Sequence, residues 1–136
     1  MHFYLFQDVY EWAGELRTVK ISKDRSLFAA PEFIEAEAAK LFGQLRKEKF
    51  LTGLSRENFI SRLAYFYGEL NVLHPFREGN GRSQRLLFEL MALHAGFALN
   101  WAAMNKTLWI DANIAAYNRQ PAPLTALFEA ITIKLP

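Results

Sequence analysis

Apolar residues open the chain at helical spacing: Phe3, Phe6, Tyr10 and Ala13 share one face, and Gly14 stands where a helix C-terminal cap is expected. The period then changes. Between Glu15 and Phe28, Val19 and Ile21 alternate with Thr18, Lys20 and Ser22 ahead of the turn-like cluster Ser22 to Ser26, which predicts a short exposed β-hairpin. Pro31 suits the first position of a helix whose apolar face is Ile34, Ala38, Leu41, Phe42 and Leu45. Ser55 is the expected N-cap of another, with Phe59, Ile60, Leu63, Tyr67 and Leu70 turned inward.

The stretch from Arg82 to Phe97 is apolar on nearly all sides, which predicts a helix buried among others and the centre of the fold. Two further helices are expected at Asp111 to Asn118 and Leu124 to Leu135, separated by Pro121 and Pro123. The chain carries no repeat, low-complexity tract or linker. The pattern therefore predicts a single all-α domain over residues 1–136, interrupted by one hairpin.

Composition agrees and narrows the partners. With 136 residues, 51% hydrophobic and 15% aromatic, the chain can bury an ordinary core. Although the pI is near 9.0, the net charge is only +2, so no general attraction to nucleic acid or an anionic membrane is expected and any anion must be held locally. Absent cysteines exclude disulfides and thiolate metal sites. Asp8 and Glu11 spoil a secretory signal at the start, and Leu86 to Phe97, broken by Glu89 and His94, is too short to span a bilayer. No membrane partner is expected, and a cytoplasmic location is permitted.

Chemistry concentrates in one segment, His74-Pro-Phe-Arg-Glu-Gly-Asn-Gly-Arg-Ser-Gln-Arg85. Gly79 and Gly81 let the backbone turn freely and let an anion approach its N–H groups. The helix predicted to begin at about Arg82 points its unpaired N–H groups and positive dipole end at the same place. Arg82 and Arg85, three apart, share a side of that first turn and suit two phosphates. Without an anion they would oppose the dipole. Glu78 is a hard oxygen ligand fit for Mg²⁺ beside phosphates, or else a partner for Arg82 or Arg77. His74 can accept a proton near neutral pH and so activate an attacking hydroxyl. A bland alternative makes the glycines a turn and Arg77, Arg82 and Arg85 a solvated face, but the carboxylate among them argues against a nucleic-acid patch. His2 and His94 have no companions and are read as structural or solvated, and Lys20, Lys23 and Arg25 as charges that keep the hairpin soluble.

The string HPFREGNGRSQR matches at every defined position the signature of the Fic family, histidine-x-phenylalanine-x-acid-glycine-asparagine-glycine-arginine-x-x-arginine. FQDVYEWAGELRTVKISK resembles that family's opening helix and target-binding flap, and NVLHPF its approach to the motif. The resemblance implies a Fic-fold helical bundle with a short β-hairpin flap over the active site. It also implies a bacterial toxin or effector that moves AMP from ATP to a Tyr, Thr or Ser hydroxyl of a target protein. By position, His74 would be the general base, Glu78 the Mg²⁺ ligand, and Gly79, Asn80 and Gly81 the anion hole. Arg82 and Arg85 would contact the ATP phosphates, and Phe76 would anchor the loop in the core. Val19, Lys20, Ile21 and Ser22 would take the target as an added strand. Tyr117 and Asn118 would border an adenine pocket or pack a core. Related Doc-type kinases carry lysine where Gly81 stands, so glycine favours AMP transfer.

Two rival expectations remain beside this one. The chain would be a catalytically silent nucleotide- or protein-binding module, or it would transfer UMP, phosphate or phosphocholine on the same fold. Similar toxins modify type II topoisomerases in the bacterial cytoplasm, and secreted relatives modify GTPases in a host cytosol. Many Fic proteins are restrained by a helix whose glutamate pairs with the second motif arginine, here Arg85. The nearest match, Thr125 to Glu129 followed by Ala130, departs at its last position and is read as a core helix. Inhibition is therefore expected from an antitoxin-like protein or from a helix upstream, since relatives usually have at least one helix before the flap.

Overall fold

A computed structural model describes residues 1–8, 11–23, 26–76 and 78–136, without the side chains of residues 3, 4, 22, 23, 26 and 27. Tyr10, Arg25 and Arg77 lie outside the described residues. The centre is helix α3, Arg56–Leu73. Ser55 caps it as expected, its hydroxyl accepting the Asn58 N–H at 3.2 Å. Phe59, Ile60, Leu63, Phe66, Tyr67 and Leu70 are all buried, so the helix is covered around much of its girth. Helix α2, Ile34–Lys47, follows a 3-10 turn at Pro31–Phe33 and packs Ile34 and Leu45 into the core.

Helix α4, Asn80–His94, was expected at this centre and instead lies to one side of it. Its inner face is Ser83, Gln84, Phe88, Met91 and Ala92, while Leu90 and Leu93 are exposed. Apolar composition all round is thus no guarantee of burial all round. It also starts two residues before Arg82, because Gly79 at φ 78 provides the turn into it.

The opening helix is shorter than its apolar spacing predicts. Helix α1 is His2–Phe6, and residues 11–14 form turns that end at Gly14 with φ 82. The hairpin pairs later than expected, β1 at Ser22–Lys23 against β2 at Ser26–Leu27 in antiparallel register. Val19 and Ile21 precede it: the Val19 carbonyl is taken by the Arg17 side chain, and the Ile21 carbonyl by the Phe28 N–H at 3.0 Å. Helix α5, Lys106–Tyr117, begins five residues ahead of Asp111 because Asn105 caps it through Leu108 N–H at 3.0 Å. Helix α6, Ala122–Ile131, stops before Leu135. The alternating Thr132–Lys134 forms β4 instead and pairs antiparallel with β3, Phe97–Leu99, a small sheet the sequence pattern did not predict. Both sheets are ribbons on a helical bundle, so the all-α expectation holds. No helix among the described residues is long and apolar enough to cross a membrane.

Candidate active site

His74 ends α3 in the left-handed conformation, φ 45 and ψ 65, while its N–H still bonds to the Leu70 carbonyl at 3.0 Å. Pro75 disfavours the right-handed helical region for the residue before it, so the chain turns away here. A non-glycine residue in this region is strained and persists only where its surroundings hold it. The surroundings are specific. The imidazole lies flat on Phe28, with centroids 3.8 Å apart and planes 5° from parallel, and the backbone carbonyl accepts the Arg17 Nε–H at 2.6 Å.

Arg17 is itself only 2% exposed. Its guanidinium donates to the carbonyls of His74, of Val19 at 2.7 Å, of Leu73 at 3.2 Å, and of Ala29. Its own N–H donates to the Pro75 carbonyl at 2.9 Å. Burial pulls its pKa down, yet a guanidinium titrates so far above neutrality that it stays charged. A cation at the C-terminal carbonyls of α3 also complements the helix dipole. Both ends of the hairpin are thereby tied to the backbone of His74.

The loop that follows is closed by Asn80. Its Oδ1 accepts the Phe76 N–H at 2.8 Å and its Nδ2 donates to the Phe76 carbonyl at 2.6 Å. The Asn80 side chain is thus spent on holding the loop, and its backbone N–H is left for a ligand. Phe76 stacks on His2 with centroids 3.9 Å apart, rather than entering the main core as expected. The Ser83 N–H takes the Gly79 carbonyl at 3.0 Å. The N–H groups of Asn80, Gly81 and Arg82 precede that bond at the positive end of α4.

A cavity of about 490 Å³ opens beside this turn, lined by His74, Gly81, Arg85, Tyr67, Asn113 and Tyr117 among others. That volume suits a small organic ligand. Burial pushes the Tyr67 hydroxyl above its ordinary pKa, and the neighbouring Arg85 charge pulls the other way, so the pair presents a neutral phenol beside a cation. A Cβ on Gly81 would come within 2.9 Å of the Arg85 guanidinium, so a side chain there would displace that arginine. Arg82 is exposed and rests its guanidinium over the Phe6 ring at 4.6 Å. Glu78 is exposed at the loop, and neither residue lines the cavity.

Asn118 does not line it either: its Nδ2 donates to the Ile114 carbonyl at 3.0 Å and closes the end of α5, whereas Asn113, missed in the sequence, faces the cavity. Glu129 pairs with Arg56 on the surface, which fits the core-helix reading of α6. Among the described residues no three His, Cys, Asp or Glu side chains gather as a metal cluster. A lone carboxylate beside the N-terminal turn of α4 still suits Mg²⁺, which needs only one or two protein oxygens when phosphates and water complete its shell.

The motif is legible along the chain, whereas its supports are distant from it in sequence. Arg17, Phe28 and His2 sit far from the motif in sequence: Arg17 and Phe28 read alone as ordinary loop residues, and of the two readings of His2, structural or solvated, its burial supports the structural one. A buried partner was foreshadowed only by the apolar Phe28 at the hairpin's end.

Residues 1–92 match the profile of the Fic/DOC family. The chain belongs to that family. It is 43% identical over 129 residues to a Salmonella typhimurium protein, covering 95% of this chain and 64% of that one. It is 44% identical over 113 residues to an Escherichia coli protein, covering 83% of this chain and 56% of that one. Both are named "Probable protein adenylyltransferase Fic". Its fold superposes on the N-terminal Fic domain of a translocated Bartonella quintana effector with bound ADP. The TM-score is 0.90 at 31% identity, over 98% of this chain and 70% of that one. This Fic chain spans less than two thirds of the length of the two named relatives.

Proposed function

We propose that this Fic domain transfers AMP from ATP to a hydroxyl side chain of a target protein. One observation carries the reading: His74, at the end of α3, and Arg85, on the first turns of α4, open onto one cavity beside a turn of unpaired N–H groups. The hydroxyl oxygen attacks the α-phosphorus as its proton passes to the His74 imidazole, and the bond to the β-phosphate breaks, releasing pyrophosphate. The N–H groups of Gly79, Asn80 and Gly81 and the charges of Arg82 and Arg85 receive the phosphate oxygens. Glu78 would hold Mg²⁺, which neutralises charge between adjacent phosphates when bound.

Gly81 supports AMP transfer over phosphorylation, since a lysine there would push Arg85 aside. Tyr117 borders the base, while Asn118 has a capping role instead. The target lies along Val19 to Ser22 and pairs by main-chain bonds; Thr18, Val19 and Lys20 are exposed for this. Control comes from a helix or antitoxin-like protein that brings a carboxylate to Arg85, because Glu129 is engaged by Arg56. The site of action is the bacterial cytoplasm, or a host cytosol for a translocated form, by likeness to the Bartonella effector.

The test is incubation of wild type and His74→Ala with bacterial lysate and ATP labelled at the α- or the γ-phosphate. Label from the α position only, lost in the variant and on chelation of Mg²⁺, is the expected result. Label from the γ position would indicate a kinase instead, and equal labelling by His74→Ala would remove the role given to that histidine.

A further inference from the structure

A second imidazole, outside the catalytic motif, is built into the loop. His2 is 2% exposed. It stacks on Phe76 with planes 17° apart, and the rings of Phe6 and Trp12 close around it at 4.8 and 5.9 Å. The Gly14 N–H donates to its Nδ1 at 2.9 Å. A ring nitrogen that accepts carries no proton, so the proton of the neutral ring sits on Nε2. From there it donates to the Glu78 carbonyl at 2.7 Å.

That bond has a directional consequence. A trans peptide sets its C=O and its N–H on opposite sides, and the described chain contains no cis peptide. Drawing the Glu78 carbonyl toward α1 therefore turns the Gly79 N–H away from α1. Phe6 enforces the same arrangement from the same side, because a Cβ on Gly79 would fall 2.4 Å from its ring. Asn80 fixes the other end of the loop at Phe76.

We propose that His2 is a positioning residue that orients the Glu78–Gly79 peptide so that the Gly79 N–H faces the bound phosphate, making α1 the outer support of the anion site. The inference rests on the phosphate-binding reading of the loop. It is tested with ADP and adenosine as probes, the ratio of their affinities being taken within each protein so that partial unfolding cancels. His2→Phe keeps the stack on Phe76 and removes the donor; His2→Gln keeps an amide donor at the same reach and removes the stack. ADP affinity is expected to fall about tenfold in His2→Phe, the order for one lost hydrogen bond to a charged group, with adenosine affinity unchanged. His2→Gln is expected to recover much of the loss. An unchanged ADP-to-adenosine ratio in His2→Phe would overturn the proposal. In the wild type, ADP should also shift the Gly79 amide resonance, and a resonance that stays put overturns it whatever the variants do. Should wild type bind ADP no better than adenosine, the phosphate reading itself falls, an outcome distinct from failure of His2 alone.

Discussion

The core around α3 and the shell around His74 are held by different chemistry. In the core, Phe59, Leu63, Leu124 and Phe128 are fully buried against other apolar side chains. Around the site, buried rings such as Phe28 and Phe6 are joined by buried polar residues: His2, Arg17, Asn80 and Gln84 each donate to a backbone carbonyl, at Glu78, His74, Phe76 and Tyr67 respectively. Apolar contact is non-directional and scales with area. Hydrogen bonds onto carbonyls fix peptide planes and therefore fix where a base or an N–H points. Stability and catalytic geometry should accordingly be separable by mutation.

The strongest break in that comparison comes from the core. Phe59 is fully buried and stacked on Phe97, with centroids 4.3 Å apart. Phe59→Ala is expected to cost about 3–5 kcal/mol of stability. ADP affinity of the fraction still folded, measured in the cold, should be unchanged. A loss of affinity in that fraction would mean that the core also shapes the site.

Arg17 gives the converse. Arg17→Met leaves the carbonyls of His74, Leu73, Val19 and Ala29 without their donor. A stability loss of about 2–3 kcal/mol is expected, on the scale of hydrogen bonds to a charged group. The larger effect should be on turnover, about a hundredfold, because small misplacement of a base is costly. KM for ATP should move little, since the guanidinium bonds only to carbonyls of His74, Val19, Leu73 and Ala29 and to none of the α4 residues proposed to receive the phosphates. Arg17→Lys should not restore turnover, because an ammonium cannot reproduce the planar fork that spans these carbonyls. Recovery by lysine would reduce the role of Arg17 to charge alone.

The same division explains what could be read in advance. The apolar faces of α2 and α3 followed from spacing, because burial repeats with the helix turn. The motif was legible because its residues are adjacent along the chain. Its supports were not: Arg17 reaches His74 across 57 positions and His2 reaches Glu78 across 76. No local pattern encodes such pairs. The misplaced centre at α4 has the related cause that composition reports how apolar a helix is, not which neighbours cover it, and Leu90 and Leu93 were left outside. The β3–β4 pairing likewise joins Phe97–Leu99 to Thr132–Lys134, segments too short and too distant to announce each other.

Gly79 tests the border between the two regions. Gly79→Ala places a side chain at φ 78 and against Phe6, at an expected cost of about 1–2 kcal/mol for the left-handed backbone. ADP binding should weaken along with stability, as the loop and α1 part. Thermal melting and ADP titration on the same sample would check this. Binding that survives a lowered melting temperature would place the anion contacts entirely on α4.

The smallest effect is expected at the rim of the core, where Arg62 grips Glu48 through two hydrogen bonds of 2.7 and 2.6 Å between α3 and the end of α2. The Arg62 hydrogen bonds hold the Glu48 carboxyl below its usual range. The arginine side chain is 37% exposed, so water screens the pair, and Glu48→Gln should cost only about 0.2–1 kcal/mol. A carboxyl with a depressed folded pKa stabilises fully above its unfolded value, about 4.3, and loses that contribution as pH falls through the folded value. The melting difference between wild type and Glu48→Gln should therefore be present at neutral pH, no more than about 4 °C, and fade at more acidic pH. Transfer at neutral pH should be unaffected, because neither residue contributes to the cavity at His74. If Glu48→Gln lowered turnover while its melting temperature held, the rim of the core and the polar shell of the site would be coupled, and their separation would fail where the effect on stability is weakest.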